Sequence, residues 1–304
     1  MTSPLSSAAA PFGRVLTAMV TPFTADGELD LVAAQRVATY LVDRGNDGLV
    51  VSGTTGESPT TTSDEDGRLL AAVIEAVGDR ASVVAGVGTN DTRQSVELAQ
   101  QARKAGAHGL LVVTPYYSKP PQRGILQHVR EVTRAGDGTP VMLYDIPGRT
   151  GVQIARETYA ELVTDPLVVA MKDAVGDLNR GSWLMRETGI RLYSGDDQLN
   201  LAWLAYGASG VVSVVGHVAA SDYAQMIAAV DAGDIAAARA VHERLLPAVE
   251  ALMTTSQGAI TAKVALQLLG VLEHRTVRAP LPEATDEEVA VVRDGLVASG
   301  LLES

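Results

Sequence analysis

"VLTAMVTPF", residues 15–23, ends an apolar run on Thr21, Pro22 and Phe23 where a phosphate-binding sheet would carry glycines. Apolar, β-branched runs of this kind recur along the chain. After "VLTAMV" come "GLVV" from Gly48, "SVVAG" from Ser82, "GLLVV" from Gly109 and "VMLYD" from Val141. "VVAMK" from Val168, "IRLYS" from Ile190 and "GVVSV" from Gly210 complete the series. Amphipathic stretches separate them. In "DTRQSVELAQQARKAG", Val96, Ala99 and Ala102 keep a helical stripe, Asp91 and Gln94 predict a capping box, and Gly106 predicts the stop. In "DLVAAQRVATYLVDRG", Asp30 is the expected cap and Gly45 the expected end. Alternating strands and helices predict parallel strands with crossover helices, and continuous apolar runs suit strands buried on both faces. A doubly wound sheet would show its glycine fingerprint after the first strand; "GVG" at Gly86–Gly88 lacks a third glycine. Eight units at a spacing of about 20 to 35 residues therefore predict a (β/α)8 TIM barrel.

Beyond about residue 221 the strand pattern ceases and helical stretches follow, the first closing the barrel. Residues 1–12 read as a flexible N-terminal tail, 13–234 as the barrel with the active site, and 235–304 as a C-terminal helical region. A net charge of −12 argues against nucleic acid or an anionic membrane surface as partner, and an anionic substrate would need a local positive site. There is no cysteine, which removes disulfides and thiolate chemistry and suits a cytoplasmic location. The longest apolar runs fall well short of the ~20 residues of a membrane helix. His108, His128, His217, His242 and His274 are scattered without ligand spacing, so no metal and no cofactor is expected.

Barrel enzymes gather their chemistry at the C-terminal strand ends. There the chain carries "GTTGES", "TPYYSKP", "YDIPGRT", "KDA" and "SGDD". The lysines are Lys104, Lys119, Lys172 and Lys263, and Lys172 alone ends an apolar strand. A lysine there can simply snorkel into solvent. A buried amine, by contrast, sheds its proton more readily and can attack a carbonyl to form a Schiff base. Tyr144 ends the neighbouring strand, either as packing or as a proton donor and acceptor beside that amine. Arg149 is either a solvated surface charge or a fork for a carboxylate. "GTTGES" is either an ordinary turn or an anion cradle.

"GTTGESPTTT", "TPYYSKPPQ", "YDIPGRT", "VVAMKDA" and "YSGDD" resemble, in order and barrel position, the pyruvate-dependent class I aldolase family that includes N-acetylneuraminate lyase. The resemblance runs from about Gly13 through the helical region. It implies that Lys172 forms an imine with pyruvate, that Tyr144 is the general acid/base, and that Thr54 and Tyr117 relay its proton. It further implies that Tyr117 is shared with a neighbouring subunit in a homotetramer built as a dimer of dimers. Thr55, Val212 and Gly195 would contact pyruvate, and Arg149 would receive the carboxylate of aspartate semialdehyde. The implied reaction belongs to lysine and diaminopimelate biosynthesis; the alternative is a sister aldolase or lyase acting on a sugar acid or other 2-oxo acid. Feedback-inhibited relatives bind lysine beside "GTTGES". Ser58, Asn90 and Tyr116 match that site, while Ser63, Asp66 and Gln94 depart from it, so weak or absent inhibition by lysine is expected, with Glu97 a partial substitute for the missing acid.

Overall fold

The computed structural model describes residues 10–303. Eight parallel strands close into a barrel in chain order: β1 (Val15–Ala18), β2 (Gly48–Val51), β3 (Ser82–Gly86), β4 (Gly109–Val113), β5 (Val141–Asp145), β6 (Val168–Asp173), β7 (Arg191–Ser194) and β8 (Gly210–Ser213). The outer layer comprises α1 (Leu31–Asp43), α2 (Ser63–Val77), α3 (Thr92–Ala105), α4 (Gln122–Gly136), the single turn α5 (Pro147–Thr150), α6 (Arg156–Leu162), α7 (Leu178–Thr188), α8 (Asn200–Ala205) and α9 (Gly216–Asp231). Helices α10 (Ile235–Thr254), α11 (Gly258–Leu268) and α12 (Asp286–Ala298) follow.

Successive residues of a strand point to opposite faces, and this two-residue alternation divides the core. Leu16, Val50, Val84, Met142 and Ala170 fill the barrel interior, while Leu49, Val83, Leu143 and Met171 meet the helices. Phe12 plugs the N-terminal end, where a Cβ on Gly109 would stand 2.3 Å from its ring. Of the expected tail, residues 1–9 lie outside the described residues, whereas Phe12 is core. The C-terminal helices share a hydrophobic cluster with Val15, Val211 and Val215 and are packed onto the barrel rather than appended to it.

Two local expectations change. Asp91 caps α3 through the Arg93 N–H at 2.9 Å, but no box forms with Gln94, because the Asp91 N–H that Gln94 would accept donates instead to Thr89 Oγ1 at 3.0 Å. Complete boxes stand instead at Thr62/Glu65 and Thr285/Glu288. Helix α9 starts at Gly216, directly after β8. Asp197 accepts the Val214 and Val215 N–H groups at 2.8 and 3.0 Å, and Ser213 Oγ accepts that of Gly216 at 2.7 Å, so the chain turns at once into helix with its free donors satisfied.

Candidate active site

The register of β5 on β6 places Tyr144 opposite Lys172 and Asp145 opposite Asp173. The alternation then sends the first pair into the barrel and the second pair outward. Lys172 is 6% exposed, and its Nζ lies 4.3 Å from the centroid of the Tyr144 ring. Gly195, at the end of β7, is the floor beneath it: a Cβ there would sit 2.8 Å from both Cγ and Cε of the lysine. Among the described residues Lys172 has no carboxylate partner.

Behind the barrel wall, Arg180 of α7 reaches Asp145 at 2.7 Å and Asp173 at 3.6 Å. Asp173 accepts the Val175 and Gly176 N–H groups at 3.1 and 3.0 Å, and the Tyr159 hydroxyl lies 3.4 Å from Asp145. Two buried carboxylates share one guanidinium. Burial pushes the Asp145 carboxyl up to about 6, and Arg180 opposes that rise. The cluster fixes the ends of the two strands that carry Tyr144 and Lys172.

A cavity of about 430 Å³ opens beside this pair. It is lined by Thr54, Ser58, Tyr116, Tyr117, Tyr144 and Arg149, among others. Lys172 is not in the lining but lies directly behind Tyr144. Thr55 is buried in the loop after β2, and Val212 is buried in β8 with its side chain in the barrel interior. Arg149 sits exposed on the rim in α5. Tyr117 is 90% exposed with φ +67°, and Ser52, Glu57 and Lys119 also have positive φ in the loops after β2 and β4. Such backbone costs on the order of 1 kcal/mol per residue and collects at functional loops. Asp66 turns inward to Thr61 at 2.8 Å, whereas Gln94 and Asn90 are exposed.

One residue escaped the sequence reading. Lys263, set aside there as part of the C-terminal region, is 0% exposed and bonded to Glu57 in "GTTGES" at 2.5 Å. Burial pulls its ammonium down to about 8 while the Glu57 carboxylate resists. A lowered pKa alone would nominate Lys263 as the nucleophile. Geometry decides otherwise, because its nitrogen is already held by Glu57 and by the Thr276 carbonyl at 2.7 Å, whereas Lys172 faces the Tyr144 ring with no carboxylate partner among the described residues. Among the described residues no three His, Cys, Asp or Glu side chains group as metal ligands.

A closed parallel barrel that brings a buried lysine without a carboxylate partner against a phenol near its C-terminal mouth has the parts for Schiff-base chemistry. Comparison with known proteins narrows the class. Residues 11–298 match the model of the dihydrodipicolinate synthetase family, and the chain belongs to that family. A 4-hydroxy-tetrahydrodipicolinate synthase of Acidothermus cellulolyticus is 61% identical over 97% of this chain and 94% of its own. Among solved structures, the family member of Cyanidioschyzon merolae with lysine bound superposes with a TM-score of 0.93 at 41% identity, covering 96% of this chain and 100% of that one. The chloride-inhibited enzyme of Acinetobacter baumannii complexed with pyruvate gives 0.90 at 31% identity, covering 96% and 99%.

Proposed function

We propose that this chain condenses pyruvate with aspartate semialdehyde through an imine on Lys172, producing 4-hydroxy-tetrahydrodipicolinate for lysine and diaminopimelate biosynthesis. The observation that carries the reading is the facing pair: a buried, unpaired amine against a phenol at the mouth. The Lys172 amine attacks the ketone carbon of pyruvate, water leaves, and an iminium results. Its positive charge draws electrons from the methyl group, which loses a proton to give an enamine. The enamine carbon attacks the aldehyde, whose oxygen takes up a proton and becomes the 4-hydroxyl. The amino group of the semialdehyde then attacks the iminium carbon, closing the ring and releasing the lysine. One water is lost per turnover.

Tyr144 moves the protons, with Thr54 and Tyr117 as its relay. Thr55, Gly195 and the Val212 backbone surround pyruvate, and the Arg149 guanidinium receives the carboxylate of the semialdehyde. That rim charge is the local positive site an anionic substrate needs on a chain of net charge −12. Tyr117, exposed and in a strained conformation, is suited to complete the site of a neighbouring subunit, which supports a dimer and, by pairing of dimers, a tetramer working in the cytoplasm. A monomeric sedimentation profile in active enzyme would remove the shared-site element. The decisive assay supplies pyruvate with a panel of aldehydes. Aspartate semialdehyde should exceed sugar aldehydes in kcat/KM by at least about 100-fold, a gap of roughly 2.7 kcal/mol in transition-state binding. A sugar aldehyde in first place would transfer the chain to the sister aldolases.

The lysine-bound relative bears on regulation. Ser58 and Tyr116 line the cavity and Asn90 lies exposed nearby, but Gln94 offers no charge to an ammonium, and Asp66 is occupied by Thr61. Loss of one charged hydrogen bond costs about 1.5–3 kcal/mol, so lysine should inhibit only weakly.

A further inference from the structure

Glu57 sits two residues after Thr55, in the left-handed region at φ +57°, with its side chain almost wholly buried. A glutamate held that way needs a reason, and both of its oxygens have one. Oε1 accepts from Lys263 Nζ at 2.5 Å, and Oε2 accepts from the Arg278 backbone N–H at 2.9 Å. Both donors lie more than 200 residues downstream, in α11 and the segment after it. The Lys263 nitrogen is fixed in turn by the Thr276 carbonyl at 2.7 Å and lies 4.3 Å from the Phe23 ring centroid, with Arg278 at the same distance. Arg278 also spans the loop, donating to the Thr60 carbonyl at 3.0 Å and to both oxygens of Glu65 at 3.0 and 2.6 Å.

The backbone of the loop depends on the same residue. The Glu57 N–H donates to the Thr54 carbonyl at 3.1 Å, and the Thr60 N–H donates to the Glu57 carbonyl at 2.9 Å. Thr21 Oγ1 holds the Gly56 carbonyl at 2.6 Å from the other side. Thr54 and Thr55 are therefore carried on a turn whose one end is tied to β2 and whose other end hangs on Glu57.

We propose that Lys263 is a positioning residue: acting through Glu57, it sets the catalytic loop that presents Thr54 and Thr55 to the mouth, and so makes the C-terminal helical region part of the active-site scaffold. The proposal rests on the roles given above to those two threonines. A buried ion pair is a poor source of net stability but a geometrically specific one, since removing one partner strands the other charge. A side chain with two fixed oxygens, each bonded to a different point of a rigid segment, leaves the turn a single orientation.

The test is Lys263→Met in the full chain, assayed as folded enzyme verified by circular dichroism. kcat should fall on the order of tenfold or more, and amide hydrogen exchange across residues 54–57 should quicken, while borohydride still traps pyruvate on Lys172. Arg244→Met, which breaks the Arg244–Asp222 pair between α10 and α9 far from the loop, should lower Tm and leave kcat within about twofold. If Lys263→Met does not fold, Glu57→Gln/Lys263→Met removes both charges together and should show the same loss of kcat. A lowered Tm with kcat within twofold of wild type and unchanged loop exchange, in either variant, overturns the proposal. Failure to trap pyruvate on Lys172 in the wild type overturns the functional reading instead.

Discussion

Gly195 shows how tightly the candidate nucleophile is placed. Its amide donates to the Asp173 carbonyl at 2.7 Å, so its backbone cannot withdraw, and any side chain would press on the middle of the Lys172 stem. Gly195→Ala should therefore shift the amine without changing its chemistry. We expect kcat to drop at least about tenfold, a barrier increase of roughly 1.4 kcal/mol, together with a lower melting temperature, because the same Cβ would also stand 2.8 Å from the Asp173 carbonyl oxygen. Wild-type turnover in this variant would mean that the lysine position is not tied to the end of β7. At this scale the sequence was informative where a candidate residue stands at or just beyond its own strand end, as Lys172, Tyr144, Thr54 and Arg149 do. It could not disclose Lys263, whose meaning comes from a partner 206 positions away, nor Arg180, which is 35 positions from Asp145. Neither distance belongs to any local pattern.

Among the elements, all eight strands lie where the apolar runs place them, because a parallel strand buried on both faces leaves an uninterrupted signature. The helix ends were less legible. A polar residue three positions after a cap is common, and whether it returns a bond depends on competitors for the cap N–H such as Thr89. The helices also hold two titrating groups that set acid stability. His217 of α9 accepts the Val20 N–H on Nε2 at 3.1 Å and donates from Nδ1 to the Val214 carbonyl at 2.7 Å, so a second proton has no place. His128 of α4 has a buried Nε2 without a partner. Burial lowers both from 6.5 to about 4. The unfolded chain takes up these protons first, so stability present above pH 6.5 is lost as the pH falls toward 4, by at most roughly 3 kcal/mol per histidine. Asp145 works in the other sense. Raised from 3.8 to about 6, it favours the fold by a similar amount once protonated, a contribution lost as the pH rises through about 6. Burial raises Asp47, Asp66, Asp173 and Asp196 in the same sense as Asp145, so the histidine contribution is read by difference. In urea unfolding, the loss of stability between pH 7 and pH 5 should be smaller, or the gain larger, in His217→Gln than in the wild type; identical pH profiles for the two would refute the role of His217.

For the molecule as a whole, the barrel carries the facing Tyr144 and Lys172, and the C-terminal helices are joined to the loop after β2 through a buried ion pair and to the barrel through a shared core. The proposed weak inhibition by lysine belongs to the same scale, since Ser58 and Tyr116 line the cavity beside the exposed Tyr117. In a steady-state titration, half-inhibition by lysine should lie above about 1 mM, corresponding to binding weaker than about −4 kcal/mol; clearly tighter inhibition would show that Glu97 or a neighbouring subunit supplies the missing charge. Underlying all of this is the claim that one amine, at the end of β6, carries pyruvate. The structure offers two buried lysines, so the measurement that separates them is direct: reduce the enzyme with borohydride in the presence of pyruvate, digest it, and locate the mass adduct. The account predicts a single adduct on the peptide containing Lys172, accompanied by inactivation, and no activity in Lys172→Arg, whose guanidinium stays protonated. An adduct on Lys263 or Lys119, or activity that survives reduction, would contradict it.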